Sequence, residues 1–231
     1  MIPISDYLEL QKKPIITYCV LGMNLFLFLA ELRMSITGDL NSFVSNWGLT
    51  PAILSTAIAQ LSTGNLAAGV YALLRSGSIL TAMFIHGSFS QILGNSIYIW
   101  VFGKSLENFL GHRKYLLFYL LCGSLTGIAQ IIIEPNLTTP LVGANGAIAA
   151  ILGAYIYRYS HIKIDTIFPL VIAYVPLQLP AYFYGFWWFV QQLFYGIGSL
   201  NIPGANSGTI GYWAHGMGLV IGVIILRIFA K

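Results

Sequence analysis

The chain has 231 residues, of which 57% are hydrophobic and only 8% are charged, whereas about 25% of the residues of a typical soluble domain are charged. This composition excludes an ordinary soluble protein and predicts an integral membrane protein in a lipid bilayer. The net charge is +4, but the basic residues are spread thinly between apolar segments, so we expect no nucleic-acid partner.

Six apolar runs follow one another along the chain. A helix needs about 20 apolar residues to cross a bilayer, and runs near that length predict spans at about 14–33, 79–102, 115–134, 142–159, 180–197 and 209–229. The segment 34–78 is too polar and broken for a clean span, so we expect a long first loop. The first residues lack a signal-peptide pattern. The expected fold is all-α, a single domain 1–231 built as a bundle of six transmembrane helices.

The basic residues indicate the orientation of this bundle. Six spans place both termini on one side of the membrane, and nine of the eleven basic residues fall on that side, leaving Arg33 and Arg75 opposite. The positive-inside rule therefore predicts a multi-pass protein with both termini cytoplasmic. The fourth span then begins a short way into the membrane from the non-cytoplasmic face, and Asn145 lies at that point.

Several polar side chains interrupt the apolar spans: His86, Gln91 and Asn95 on the second, Asn145 on the fourth and His215 on the sixth. Such residues are costly in lipid unless they are paired inside the bundle, so each one is a candidate functional residue. Gln91 and Asn95 are four residues apart and share a helix face. For any one of them alone, a structural hydrogen-bond network between helices is the commoner explanation.

Small residues are concentrated on the fourth and sixth spans. Gly143, Gly146 and Gly153 on the fourth span would let another backbone approach closely. The Gly218–Gly222 pair on the sixth predicts packing of the sixth helix on the fourth rather than dimerisation. Cys19 and Cys122 lie in apolar runs, and we expect buried hydrophobic residues there, with no disulfide. No cofactor is indicated, and no histidine has a partner at metal-ligand spacing.

Three sequence blocks carry a resemblance. Residues 83–111 read MFIHGSFSQILGNSIYIWVFGKSLENFLG, residues 143–146 read GANG, and residues 212–218 read YWAHGMG. In order and spacing they resemble the blocks of the rhomboid family of intramembrane serine proteases, and the match extends from about Thr81 to the end. The resemblance implies a serine on the fourth span activated by a histidine on the sixth. It also implies oxyanion stabilisation from the second span and single-span membrane proteins as substrates.

The resemblance assigns roles residue by residue. His215 matches the dyad histidine, Asn95 an oxyanion-side donor, and His86 the more structural of the second-span histidines. Asn145 occupies the nucleophile position, and Gln91 occupies that of the oxyanion histidine. The supporting positions of the same blocks are Gly143, Gly146, Glu107 and Gly218. In the first loop, Gly77-Ser78 stands where many members have a Trp-Arg pair.

The two departures have different chemical weight. A serine nucleophile needs a hydroxyl whose proton the histidine removes, and Asn145 has none; deletion of such a nucleophile costs about 10⁶ in rate. Gln91 can still donate a hydrogen bond, and the loss of one oxyanion donor costs only about 10²–10³. We therefore predict a pseudoprotease that binds transmembrane segments of other integral membrane proteins, in assembly, quality control or trafficking.

Two alternatives stay open. The chain is an active intramembrane serine endopeptidase if Asn145 is an engineered replacement or if another serine, with Ser90 the first to test, serves as nucleophile. A transporter or channel could use the buried polar residues as a pathway, but paired intramembrane carboxylates are absent from the sequence. We expect Glu107 on a solvated face near a helix end, paired with Lys104 or Arg113.

Overall fold

Helices make up most of the structure, a computed structural model that describes residues 1–169, 174–201 and 212–230. They are α1 (Ile15–Thr37), α2 (Leu40–Trp47), α3 (Pro51–Ser62), α4 (Leu66–Ser76), α5 (Ser78–Thr81), α6 (Phe89–Tyr98), α7 (Lys104–Leu110), α8 (His112–Ile133), α9 (Asn145–Tyr159), α10 (Ala181–Asn201) and α11 (Tyr212–Phe229). A 3-10 turn at Ala82–Phe84 follows α5, and a π-helical turn at Ile99–Gly103 joins α6 to α7.

Three helical segments among the described residues are long and apolar enough to cross a membrane. They are Ile15–Thr37, Leu66–Phe84 and His112–Ile133. The first and the last of them coincide, to within four residues at each end, with the predicted first and third spans. The chain is therefore an integral membrane protein with a predominantly helical fold.

The segment predicted as a long first loop is largely helical. It contains α2, α3 and α4. Helix α4, helix α5 and the 3-10 turn together form the apolar segment Leu66–Phe84. Local signals account for the helix starts: Pro51 is in the first turn of α3, and the Asn65 side chain accepts a hydrogen bond from the Ala68 N–H at 3.2 Å, as an N-cap does. These caps lie between polar and glycine-containing stretches, which is why the composition alone indicated a loop.

The segment predicted as the second span, 79–102, is interrupted. Ile85 has extended backbone angles, φ −91° and ψ 141°, and the Ser88 hydroxyl accepts a hydrogen bond from the Gln91 N–H at 3.2 Å. This capping starts α6 at Phe89, and helical structure then continues to Leu110. His86 therefore lies in the turn before the helix, not on the helix itself.

A small sheet corrects the all-α expectation. Strands β1 (Ile2–Asp6), β2 (Lys163–Pro169) and β3 (Tyr174–Pro180) form an antiparallel sheet in the order β1-β2-β3. Its first ladder pairs Asp6 with Ile164, residues so far apart in sequence that no local periodicity reports the pairing. Ile164 and Thr166 are buried on the side of the sheet that packs on the helices, and the Thr166 hydroxyl lies 2.5 Å from the Tyr184 hydroxyl.

Helix α9 lies at the centre of the bundle, with ten of its fifteen residues buried. A side chain at Gly153 would collide with the backbone of Leu219, and one at Gly222 would collide with the backbone of Ala150. The predicted packing of the Gly218–Gly222 helix on the fourth span is thus confirmed. Cys122 is buried as expected, but Cys19 is exposed on the outer face of α1, where lipid would surround it.

Candidate functional site

A cavity of about 60 Å³ lies where the start of α9 meets α8 and α11, and both Asn145 and His215 line it. Its wall also includes Thr126 and Gln130 from α8 and Gly143 from the segment before α9. This volume admits a few water molecules but no large side chain. Folding therefore brings the two positions of the predicted dyad, which are distant in sequence, to the wall of one cavity.

The segment that precedes Asn145 is held by backbone hydrogen bonds. Leu49 and Leu141 form an isolated antiparallel pair with N–H to O distances of 3.0 and 2.8 Å, and the Gly143 N–H donates to the Ala82 carbonyl at 2.8 Å. Gly143 has φ +116°, a left-handed conformation that favours glycine. Helix α9 begins two residues later, with the half-buried side chain of Asn145 in its first turn.

Glycines set the close approach of the three helices around this cavity. A side chain at Gly146 would collide with that of Thr126 on α8. A Cβ at Gly218 would lie 2.7 Å from the Ala149 Cβ and 2.9 Å from the Gly146 carbonyl oxygen. Larger residues at Gly146 and Gly218 would therefore force α8 and α11 away from the start of α9.

Gln91 links the turn before α6 to the segment before α9. Its Nε2 donates to the Val142 carbonyl at 2.9 Å, and its Oε1 accepts from the Gly87 N–H at 2.8 Å. A side chain at Gly143 would collide with Gln91, and its Cβ would be 3.8 Å from Asn95 Nδ2. Gln91 and Asn95 thus share one face of α6, as predicted, and lie against Gly143 rather than in the cavity wall.

His86 joins α1, the turn and α6. Its Nδ1 is 3.2 Å from the Phe84 carbonyl oxygen, and its Nε2 is 3.2 Å from Asn95 Nδ2. Because a carbonyl can only accept, Nδ1 carries the proton and Nε2 accepts from the amide, which describes a neutral imidazole. The His86 backbone N–H donates to the Glu31 carboxylate at 3.1 Å.

Glu31 is a buried residue of this network that the sequence analysis did not single out, since it lies near the end of the predicted first span, 14–33. It is 3% exposed and receives the His86 N–H in the turn before α6. An acidic residue that ends an apolar run is the usual sign of a span boundary. Only the position of His86 beside it, in the folded chain, reveals the contact.

Glu107 corrects the expectation of a solvated face. It is 1% exposed, and its oxygens accept from the Ile16 N–H at 2.9 Å, the Thr17 N–H at 2.8 Å and the Thr17 hydroxyl at 2.7 Å. His112 Nδ1 lies 2.6 Å away. The first N–H groups of a helix have no partner within the helix, so Glu107 caps α1 instead of pairing with Lys104 or Arg113. Lys104 pairs with Asp6 at 3.4 Å.

Ser90 does not approach the cavity. It is exposed, and its hydroxyl is 3.0 Å from that of Ser88 at the start of α6. Across the part of the chain that the structure describes, no group of three or more His, Cys, Asp or Glu side chains is placed to hold a metal ion.

Comparison with known proteins matches residues 74–231 to the Rhomboid domain. The candidate rhomboid protease YdcA of Bacillus subtilis is 35% identical over 79 residues, 34% of this chain and 39% of that protein. Rhomboid protease GluP of the same organism is 33% identical over 79 residues, 34% of this chain and 15% of its own length. Rhomboid protein 1, mitochondrial, of Saccharomyces cerevisiae is 31% identical over 91 residues, 38% of this chain and 26% of its own. The matched part is thus well under half of each relative.

Proposed function

We propose that this chain, which belongs to the rhomboid family, is a pseudoprotease that binds transmembrane segments of other membrane proteins without cutting them. The observation that carries the proposal is that Asn145 and His215 both lie in the wall of one cavity. These are the two positions expected for a dyad, and the first of them, at the start of α9, carries an amide side chain.

The chemistry of an amide is what separates binding from cleavage. Asn145 has no hydroxyl for a histidine to deprotonate, and its amide nitrogen is not basic. It can hydrogen-bond to a peptide carbonyl or N–H, so a client segment could be held where a protease would attack it. At the expected oxyanion position, the Gln91 amide already donates to the Val142 carbonyl and accepts from the Gly87 N–H.

The proposed arrangement is six crossings with both termini in the cytoplasm. The basic residues at the loop ends support this orientation. Strand β1, at the start of the chain, pairs with β2, which follows α9, so the N-terminus and the end of α9 lie on one side. The first turn of α1 also meets Glu107 at the end of the helical stretch that begins with α6.

An active intramembrane serine endopeptidase is the second candidate. Two of the relatives carry the name rhomboid protease, which favours it. In that case either serine is native at position 145 or another serine attacks. Ser90 is the first serine to test, although its exposed hydroxyl next to Ser88 is outside the cavity.

The decisive experiment restores the hydroxyl. We expect the wild-type protein in proteoliposomes to leave a single-span rhomboid substrate intact and to resist a fluorophosphonate probe. Asn145→Ser should gain both cleavage and labelling, and His215→Ala in that background should abolish them. A membrane protein that co-purifies with the wild type and is cut by the Asn145→Ser variant would have its chain in the site.

The matched control is Ser90→Ala. If the wild type cleaves and Asn145→Ala abolishes the cleavage, the pseudoprotease proposal is wrong. If the wild type cleaves and only Ser90→Ala abolishes the activity, the chain is an endopeptidase with a displaced nucleophile.

A further inference from the structure

An apolar groove of about 680 Å³ runs along the outer side of α1, away from the cavity that holds Asn145. Helices α1 and α8 form its two long walls, and the first-loop segment with Trp47 and the 3-10 turn closes it. The lining includes Ile16, Cys19, Met23, Leu27, Leu116 and Leu120. The hydroxyl of Thr81, which also lines the groove, donates to the Trp47 carbonyl at 2.7 Å. This hydroxyl therefore needs no hydrogen bond from a molecule in the groove.

The length and the lining of the groove suit a hydrocarbon chain. Ile16 and Leu27 are eleven residues apart on α1, which is about 16 Å along the helix axis. The side chains that line this length are almost all apolar, so a hydrocarbon chain can lie in the groove without leaving a polar group unpaired.

Positive charge surrounds one end of the groove. Lys12 and Lys13 precede α1, and Arg113 is in the first turn of α8; all three are exposed. The Lys12 N–H donates to Asn108 Oδ1 at 3.2 Å, which holds the lysine segment beside the α7–α8 junction. Glu9 is the acidic side chain of the same segment, and its backbone carbonyl accepts from Asn108.

Neighbouring charged groups are already engaged. The Glu107 carboxylate is buried against the start of α1 and His112, and Lys114 Nζ donates to the Phe229 carbonyl. Glu9 is an exposed carboxylate at this end, and the three exposed cations leave the net charge there positive. Juxtamembrane basic residues attract anionic lipids, at about 1 kcal/mol, or about fivefold in affinity, for each residue.

We propose that the groove holds one acyl chain of an anionic phospholipid whose headgroup is bound by Lys12, Lys13 and Arg113. The bound chain lies between α1 and α8 and reaches Trp47 of the first-loop segment.

Trp47 provides the reporter, because it is 52% exposed in the groove. The protein is placed in phosphatidylcholine bilayers that contain increasing fractions of phosphatidylglycerol with brominated acyl chains. The fluorescence difference between the wild type and Trp47→Phe then reports quenching at Trp47. Trp100, 41% exposed on the outer surface beside Lys104 and outside the groove, is measured in the same way with Trp100→Phe.

We expect Trp47 to be half-quenched at a fraction of brominated phosphatidylglycerol at least tenfold below the fraction of brominated phosphatidylcholine that is needed. For Trp100 the two half-quenching fractions should differ by less than twofold. Neutralisation of Lys12, Lys13 and Arg113 to Gln should raise the phosphatidylglycerol fraction that half-quenches Trp47 at least tenfold. Lys163→Gln, an exposed charge on β2, should leave it unchanged.

Filling the groove tests the acyl-chain half of the proposal. Met23→Phe should reduce quenching at Trp47, whereas Leu25→Phe, on an exposed face of α1 outside the groove, should not. Parallel quenching of Trp47 and Trp100 would mean that only bulk lipid surrounds the protein and would overturn the proposal. Strong quenching of Trp47 without a headgroup preference would overturn the assignment to an anionic lipid.

Discussion

The two polar regions inside the helical bundle differ in how far their hydrogen bonds are used. One region lies at the end of the bundle that carries Lys12, Lys13 and Arg113, here called the basic end. There Glu107 accepts hydrogen bonds from the first turn of α1 and contacts His112. Asp6 Oδ2 accepts from the Ser105 and Tyr155 hydroxyls at 2.6 and 2.8 Å, and Asp6 Oδ1 has the ion pair with Lys104 at 3.4 Å but no hydrogen-bond partner among the described residues. Around the cavity, by contrast, Asn145 faces open volume, and Gln130 Oε1 has no hydrogen-bond partner among the described residues.

This difference distinguishes polar residues that stabilise the fold from polar residues that can still bind a ligand. A buried carboxylate whose oxygens are filled by helix N–H groups and hydroxyls stabilises the fold and has little capacity left for a ligand. A polar side chain in a cavity wall keeps capacity for a water molecule or a client backbone. The family blocks include residues of both kinds, and their hydrogen bonds tell them apart.

The largest effect should come from breaking the saturated network. Glu107→Ala leaves the N–H groups of Ile16 and Thr17 without their partner, so we expect the free energy of unfolding to fall by about 3–5 kcal/mol. Asn145→Ala removes a side chain that faces the cavity and should change it by less than about 1 kcal/mol. Unfolding of the purified variants in detergent measures both. Equal losses in the two variants would remove the distinction between the regions.

An intermediate effect should follow from separating the helices that enclose the cavity. Gly222→Ala places a methyl group against the Ala150 backbone, so we expect a loss of about 1–3 kcal/mol in the free energy of unfolding. Gly216→Ala on the same helix is the control, because nothing lies within 4 Å of its added Cβ. A Gly222→Ala protein as stable as Gly216→Ala would contradict the close backbone contact between α9 and α11.

The smallest effect concerns the exposed contact between Tyr7 and Asp165 of β2. The Tyr7 hydroxyl donates to both Asp165 oxygens, at 2.9 and 2.8 Å, and this hydrogen bond to the carboxylate raises the pKa of Tyr7. The neutral phenol is favoured in the fold, so the stabilising contribution is present below the unfolded pKa of about 10 and is lost as the pH rises through the folded pKa. NMR titration of labelled tyrosine, assigned with Tyr7→Phe, measures it.

Two substitutions should shift the pKa of Tyr7 in opposite directions. Asp165→Asn should lower the pKa of Tyr7 towards its ordinary value, because the carboxylate raises it. Gln178→Ala should raise it further, since the Gln178 amide donates to the phenol oxygen at 3.1 Å and lowers the pKa. An unchanged titration in Asp165→Asn would show that the carboxylate has no influence on the phenol.

The sequence by itself determined the membrane class, the family resemblance and four of the residues that line the cavity, Gly143, Asn145, Gly146 and His215. Composition and spacing carry this information, because lipid excludes unpaired polar groups and because glycines mark close backbone contacts. The shared face of Gln91 and Asn95 followed from helix periodicity. The packing of the Gly218–Gly222 helix on α9 was indicated by the small residues of both spans.

Only the tertiary structure decided which polar residues are saturated. The contacts of Glu107 with α1, of Glu31 with His86 and of β1 with β2 join residues far apart in sequence. The break before α6 also depends on such a contact, since Gln91 secures the turn at Gly87 while it binds the Val142 carbonyl. A residue's type shows that it can donate or accept a hydrogen bond, but its partner is fixed only when distant segments pack together.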